Sequence, residues 1–156
     1  MRKSMFAFAV ASALPLLSVA PAQVPAQIDV ETVQPIAGTW SYRAIADGSE
    51  ADLIDATAAV RVKIGCKRTT RVVSITRTGI PAAAPTLTVW TSALSRTLPA
   101  RFLGTKELVA DLTATDPLLD AMAFSRGRFA TAASGAPMLT VPSAPEVTRV
   151  VEDCRS

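Results

Sequence analysis

Acidic side chains are the groups in this sequence that could carry out acid–base chemistry. Two carboxylates that face each other across a cleft can act as general acid and general base, as they do in glycoside hydrolases. The candidates for such a pair are Glu50, Asp52, Asp55, Asp116 and Asp120. Nothing in the sequence sets their separation or their pKa values, so a carboxylate-dependent hydrolase is an alternative that the sequence leaves open.

The other common catalytic parts are missing from the sequence. Its 156 residues contain no histidine, which removes the usual general base, the His-dependent triads and the usual zinc ligand sets. There is no Ser–Lys acyl-enzyme signature and no Gly-rich phosphate loop. Ser125 lies in the segment AFSRG, which is similar to a nucleophile elbow, but the sequence offers it no base. We therefore predict no catalytic residue, no metal and no cofactor.

The densest acidic segment runs from Asp47 to Asp55 and holds four carboxylates in nine residues. Clustered oxygens suit Ca²⁺, but this spacing differs from that of an EF-hand loop. Ser49 followed by Asp52 is typical of a local cap over a short turn. The segment is therefore predicted to be a solvated loop.

Basic residues form a candidate binding face. Arg61 and Lys63 alternate with apolar residues, so they would project from the solvent side of a strand. The candidate set is Arg61, Lys63, Lys67, Arg68, Arg71, Arg126 and Arg128, with Arg77 close to the first group. Such a face could meet an acidic envelope polymer, a lipid headgroup or an acidic protein partner. The alternative is an ordinary charged sheet face on which Lys and Arg protect the edge.

The N-terminus has the parts of a secretory signal peptide. Arg2 and Lys3 form a basic region, Met5–Val19 is apolar, and the small residues that end at Ala22 suit cleavage. The apolar run is short and contains a proline, which argues against a membrane span, although an uncleaved N-terminal anchor is the alternative. We predict a signal peptide over residues 1–22, a periplasmic or secreted mature chain, and no transmembrane span in it.

Removal of the signal peptide changes both the charge and the compartment. The formal charge of +3 loses the two charges of Arg2 and Lys3 and becomes +1, so we predict no nucleic-acid partner. An exported chain meets an oxidising compartment, in which two cysteines allow one intramolecular pairing. We predict a Cys66–Cys154 disulfide, with two free buried thiols as the alternative. In the chain-entropy model, a bridge that closes a loop of about 90 residues contributes about 4–5 kcal/mol.

Period-2 alternation predicts most of the elements that would position these residues. Residues 23–37 are predicted to be an extended lead-in, and residues 38–156 a single domain. The predicted strands begin at Gly38, with Trp40 in the core, and at Ala58, which starts the run that ends in Cys66. Further strands are predicted at Arg71–Thr78, which forms a hairpin with the Cys66 strand, at Thr86–Ser92, and with weaker signal at Leu94–Phe102.

The second half of the chain is harder to assign. Thr105–Leu112 has an apolar face at helical spacing, so a helix is predicted there. Leu118–Ala132 allows a short helix from Pro117 or a strand such as Ala121–Ala132. We favour the strand, because residues 134–137 then form a hairpin turn into Met138–Val141.

The chain ends in a predicted helix that starts with a capping box. Ser143 and Glu146 have the capping-box spacing, and Pro145 falls in the first turn, where a missing N–H costs little. One stripe of this helix carries Val147, Val150, Val151 and Cys154. The predicted fold is therefore α+β, a mainly antiparallel sheet of five or six strands with one mid-chain helix and a C-terminal helix packed on it.

The order of these elements is similar to that of small exported proteins of proteobacterial envelopes. The layout, with Trp40 near the mature start, a strand ending in Cys66 and a last helix with Cys154, resembles the type VI secretion-associated periplasmic proteins of the TagO kind. The segments LLDAMAFSRGRFA and EVTRVVEDCR look more like uncharacterised exported proteins of alphaproteobacteria. The secretion resemblance implies an accessory envelope role, and it carries over no functional residue.

The sequence thus favours a non-catalytic periplasmic binding or envelope-assembly accessory protein. Its partner would be another envelope protein or an acidic envelope polymer. The alternatives are a carboxylate-dependent hydrolase that acts on envelope glycan and a purely structural envelope protein.

Overall fold

Ten strands and two helices form within residues 29–156, the part of the chain that this computed structural model describes. The strands are β1 (Gly38–Ile45), β2 (Gly48–Asp55), β3 (Val60–Lys67), β4 (Val72–Arg77), β5 (Thr86–Trp90), β6 (Ser95–Pro99), β7 (Arg101–Leu103), β8 (Glu107–Thr113), β9 (Arg128–Ala133) and β10 (Leu139–Pro142). The helices are α1 (Pro117–Ala123) and α2 (Pro145–Arg155), and two 3₁₀ helices span Val30–Thr32 and Arg68–Thr70. The predicted signal peptide, residues 1–22, lies outside the described residues.

The strands form two antiparallel sheets. One has six strands in the order β1-β2-β3-β4-β8-β7, and the other has four in the order β10-β9-β5-β6. Helix α2 packs on the inner face of the six-stranded sheet, where it contacts β1 to β4, and α1 packs against α2. The predicted α+β class, with one mid-chain and one C-terminal helix, is therefore confirmed, although the strands outnumber the five or six expected.

Alternation in β3 and helical spacing in α2 bring the two cysteines together. Val62, Ile64 and Cys66 point inward from β3 and are buried. The predicted stripe of α2, including Cys154, is buried against them. Cys66 and Cys154 form a disulfide with their Cα atoms 5.5 Å apart, as predicted from their positions.

The first residues of the described chain are packed against the four-stranded sheet. Val30 is buried, and the backbone N–H of Ile36 donates to the carbonyl of Thr140 in β10. Trp40 is buried, as predicted, and its Nε1 donates to the carbonyl oxygen of Pro142 at 2.8 Å. Residues 29–37 of the predicted lead-in are thus part of the packed structure.

The predicted helix at Thr105–Leu112 is wrong, because this segment is strand β8 between β4 and β7. Leu108, Ala110 and Leu112 point inward at period 2, and Ala110 is fully buried. The residue types in this segment also favour a helix, but pairing with two neighbouring strands outweighs that weak preference.

The strand favoured over Ala121–Ala132 is also wrong in its first half. Pro117–Ala123 forms α1, whose N-cap Asp116 accepts a hydrogen bond from the Leu118 N–H. The second half is strand β9, and the predicted hairpin from there into β10 is confirmed. The mid-chain helix is therefore α1, the alternative that the sequence left open.

Two local caps predicted from the sequence, one at Ser143 and one at Ser49, do not form. The N-cap of α2 is Ala144, without a side-chain hydrogen bond, and Ser143 donates instead to the carbonyl of Met122 at 3.4 Å. Pro145 does occupy the first turn, as predicted. The segment from Asp47 to Asp55 is mostly strand β2 rather than a loop, because its acidic residues alternate with inward-facing small and apolar ones.

Candidate functional site

The outer face of the six-stranded sheet holds a groove of about 440 Å³. The groove crosses the sheet from the β1–β2 hairpin to β7. Its floor comprises Lys63 and Gly65 of β3, Ser74 and Thr76 of β4, and Val109 of β8. Because residues of one parity share a face in each strand, the same alternation that buries Val62 and Ile64 points Lys63 into the groove.

Strand register sets the neighbours of each floor residue. Lys63 lies opposite Asp52 of β2 on one side and opposite Thr76 on the other. Gly65 lies opposite Glu50 and Ser74, and a Cβ added to Gly65 would meet only the Glu50 Cγ, at 3.8 Å. The absence of a side chain at Gly65 therefore deepens the floor next to Lys63.

One side of the groove has an arginine shared between two carboxylates. Arg43 of β1 pairs with Asp52 at 2.7 Å and also with Glu50. The charge of Asp52 and the hydrogen bond that Arg43 donates to Glu50 raise the pKa of Arg43. The other oxygen of Asp52, Oδ1, is buried and has no hydrogen-bond partner within residues 29–156. This side of the groove therefore carries one more negative than positive charge, directly beside Lys63.

The far side of the groove is also held by polar contacts. Arg101 of β7 pairs with Asp111 of β8 at 3.1 Å, and the Ser74 hydroxyl donates to the same carboxylate at 2.6 Å. Glu107 accepts a hydrogen bond from the Thr105 hydroxyl at 2.7 Å. In the described part of the chain, neither Glu107 nor Lys63 forms an ion pair within 4.0 Å.

Apolar side chains border the groove at its two ends. Ile45, at the end of β1, is 41% exposed, and Leu103, at the end of β7, is 38% exposed. Both side chains are exposed enough to contact a ligand that lies in the groove. The groove therefore offers charge in its middle and apolar contact at both ends.

The predicted basic face is divided by the structure. Lys63 and Lys67 line the groove, whereas Arg61 pairs with Asp55 at 3.0 Å on the same face. Hydrogen bonds from Thr57, together with the contact with Arg61, lower the pKa of Asp55 to about 2. Arg61 is therefore largely neutralised by a carboxylate that stays ionised.

The basic residues near the β3–β4 turn point in different directions. Arg68 and Arg71 are exposed on or next to the 3₁₀ helix, where Arg71 has a left-handed φ of 51°. Arg77 was expected near this face, but it points inward from β4 and is only 2% exposed. It donates to the carbonyls of Arg61 and Thr78, and burial lowers the pKa of Arg77 to about 10. Arg77 thus ties the ends of β3 and β4 together rather than presenting a charge to a partner.

Arg126 and Arg128 belong to a different part of the molecule. Arg126 is 3.6 Å from Glu31, and Arg128 donates to the carbonyl of Val33 at 2.8 Å. Both contacts are with the N-terminal segment beside the four-stranded sheet. These two arginines therefore form no continuous surface with Lys63.

The carboxylates considered as catalytic pairs are each bound to an arginine. Asp116 caps α1 and pairs with Arg96 at 2.7 Å, and Asp120 pairs with Arg155 at 2.7 Å. Burial opposes the ionisation of Asp116, but hydrogen bonds, foremost from Arg96, outweigh it and lower the pKa of Asp116. A general acid needs a raised pKa, so these contacts act against that role.

Ser125 is buried, and its hydroxyl forms hydrogen bonds within the fold. Its hydroxyl accepts a hydrogen bond from the Ser92 N–H at 3.0 Å and donates to the carbonyl of Arg128. The side chain is buried near the start of the loop that follows α1. These bonds hold that loop against the end of β5.

No metal site or membrane-spanning helix occurs in the described region. Residues 29–156 contain no group of three His, Cys, Asp or Glu side chains that could hold a metal ion. Neither of their α-helices has the length and apolar character that crossing a bilayer requires.

Comparison with family models, curated proteins and solved structures found no match to this chain. The resemblances noted in the sequence therefore remain predictions.

Sequence reasoning identified Lys63 and Lys67 but missed most of the groove. The residues it missed are Ile45, Ser74, Thr76, Arg101, Leu103 and Glu107. The alternation of Ser74 and Thr76 with Val73 and Ile75 was a usable signal for two of them. The other four lie on segments whose pairing was not predicted, so no local pattern could place them beside Lys63.

Proposed function

We propose that this protein is a non-catalytic binding protein of the bacterial cell envelope that binds its ligand in the groove. The observation that carries this proposal is the half-buried Lys63 on the groove floor, which has no counterion within 4.0 Å among residues 29–156. An ammonium group in such a position gains free energy when a ligand supplies an anionic partner.

Two further features support this proposal. The predicted signal peptide would export the chain, and a disulfide between buried cysteines is compatible with an oxidising compartment. The groove has the size of small-molecule sites, so it suits a small ligand or a terminal segment of a larger envelope molecule. An envelope-assembly accessory role, which the secretion resemblance implies, would use the same surface.

No observation favours the hydrolase alternative to the same degree. Three of its five candidate acids, Glu50, Asp52 and Asp55, lie on the groove side of the sheet, and each is bound to an arginine. The purely structural alternative does not account for the charged groove. We therefore retain binding as the proposed function.

Photo-crosslinking in intact cells tests this proposal. A benzoylphenylalanine introduced at Leu103, on the groove border, should give adducts that the same group at Thr88 does not give, because Thr88 lies on the outer face of the other sheet. Intact mass identifies small adducts, and gel mobility identifies macromolecular ones.

A charge-matched pair of variants serves as the control. Lys63→Gln should remove the Leu103 adduct, whereas Arg126→Gln, which also deletes one positive charge, should leave it. Absence of any adduct at Leu103, or equal labelling at Thr88, would contradict a binding role for the groove.

A further inference from the structure

We infer that the groove binds a short peptide by its two charged ends, with the C-terminal carboxylate at Lys63 and the N-terminal ammonium at Glu107. This inference rests on the proposed binding function and names the class of ligand. It follows from which charges in the groove are already paired, from the distance between the two that are not, and from the apolar ends.

Six charged side chains line the groove, and four of them lie close to a charge of opposite sign. Glu50 is bound to Arg43, and Arg101 is bound to Asp111. Asp47 accepts two hydrogen bonds from Thr69, and these bonds, with the nearby charge of Lys67, lower the pKa of Asp47. Asp47 and Lys67 therefore offset each other's charge, so these four residues are occupied before a ligand arrives.

The two charges that remain have opposite signs. Lys63 has no carboxylate within 4.0 Å in the described chain, and Glu107 contacts only the neutral hydroxyl of Thr105. A ligand with an anionic group alone would meet Lys63 but also the carboxylates of Asp47, Glu50 and Glu107 along the groove. A ligand with both charges satisfies Lys63 and Glu107 together, so the arrangement favours a zwitterion over a simple anion.

The backbone separation of these two residues favours a short peptide over a single amino acid. Lys63 is in register with Thr76 and Thr76 with Val109, and Glu107 lies two residues further along β8. Two strand spacings and two residue rises place the Cα atoms of Lys63 and Glu107 about 12 Å apart. An extended tripeptide spans about 10 Å, whereas the charges of a single amino acid lie much closer together.

The other residues that line the groove can contact the backbone and small side chains of a peptide. Ser74 and Thr76 are on the floor between the two charges and can bond to peptide groups, because hydroxyls both donate and accept. Val109 on the floor and Leu103 at the end offer apolar contact to small side chains. The groove therefore complements the backbone of a short peptide as well as its ends.

Binding of trialanine and of its blocked forms tests this inference. The probes are trialanine, trialanine amide, which lacks the carboxylate, and N-acetyl-trialanine, which lacks the ammonium. Titration is followed by the amide NMR signals of Gly65 and Thr76 in the oxidised mature protein. Because each charge-assisted contact contributes about a factor of ten or more, each blocked form should bind about tenfold more weakly than trialanine.

Two variants assign each end of the peptide to its residue. Lys63→Gln should abolish the preference for trialanine over trialanine amide and keep the preference over N-acetyl-trialanine. Glu107→Gln should do the reverse. Arg126→Gln, remote from the groove, should keep both preferences. A structural role for Lys63 or Glu107 would not produce this crossed pattern.

Equal binding of the three probes, or no binding of trialanine, would overturn the peptide inference. A small-molecule extract of periplasm then separates this failure from failure of the proposed function. If the extract shifts the groove signals while trialanine does not, the ligand class is wrong and the binding role stands. If neither shifts them and Leu103 gives no crosslink, both are wrong.

Discussion

Gly48 lies where a side chain would overlap the backbone of β3. Its φ is +142°, and an added Cβ would lie 2.2 Å from the carbonyl oxygen of Cys66. The hairpin around it cannot easily move away, because Asp47 accepts hydrogen bonds from the backbone and hydroxyl of Thr69. This position therefore requires glycine, both for its φ and for the space.

Gly48→Ala is expected to lower the free energy of unfolding by at least about 3 kcal/mol, because β1 and β2 must shift away from β3 to admit the methyl group. Urea unfolding of the oxidised protein measures the change. Gly104→Ala is the control, since no atom lies within 4 Å of its added Cβ, and its effect should stay within about 0.5 kcal/mol. Equal stability of the two variants would contradict this geometry.

At the residue scale, the sequence predicted the strand face on which a side chain lies better than it predicted the residue that this side chain contacts. Alternation placed Lys63 on the outer face and Cys66 on the inner face of β3, and both positions are as expected. The same alternation could not show that Asp55 neutralises Arg61, because this ion pair depends on the conformation of the turn between β2 and β3. The alternation of Val73 and Ile75 also points Arg77 inward, but Arg77 was expected near the basic face because burial of an arginine is rare.

At the scale of elements, the two helices differ in how they begin. Asp116 caps α1 by accepting from the Leu118 N–H and also pairs with Arg96. Ser143 precedes α2 but bonds to the carbonyl of Met122 and caps nothing. The capping-box pattern therefore predicted a side-chain hydrogen bond at the start of α2, and no such bond forms there.

Asp116→Ala is expected to lower the free energy of unfolding by about 1–2 kcal/mol, because a first-turn N–H of α1 and Arg96 each lose their partner. Ser143→Ala should change it by less than about 0.5 kcal/mol. Equilibrium unfolding in urea compares both with the parent protein. If Ser143→Ala proved as harmful as Asp116→Ala, a working capping box at α2 would be the better description.

Two of the wrongly predicted elements share one cause. Residues 105–112 and 47–55 have compositions that suit a helix and a loop, yet both are strands with a neighbour on each side. In each segment, inward positions held by Ala110 and Ala51 complete a period-2 pattern that counting only large apolar residues misses. Pairing with distant strands decides such segments, and a single sequence does not show that pairing.

At the scale of the whole molecule, the groove depends on how the six-stranded sheet is assembled. β1 to β4 follow one another in the chain, and of their pairings the sequence predicted the β3–β4 hairpin. β8 and β7 join them only after the chain has passed through the other sheet. The half of the groove that carries Lys63 was therefore accessible to sequence reasoning, and the half that carries Glu107 was not.

The disulfide connects this sheet to the last helix of the chain. Cys66 lies in β3 and Cys154 in the last turn of α2, 88 residues apart in sequence. Both side chains are buried, beneath the sheet face that bears the groove. The bridge therefore fixes α2 against the strands that supply the groove floor.

The double variant Cys66→Ala/Cys154→Ala is expected to lower the free energy of unfolding by about 4 kcal/mol, because it restores the chain entropy that a loop of this length removes from the unfolded state. Urea unfolding of the oxidised parent, the reduced parent and the variant measures this effect, and the two forms without the bridge should agree within about 1 kcal/mol. If α2 packing alone holds the fold, the variant will unfold at the same urea concentration as the oxidised parent. The expected loss instead implies that the bridge stabilises the fold by restricting the unfolded chain, in addition to the packing of α2 on β3.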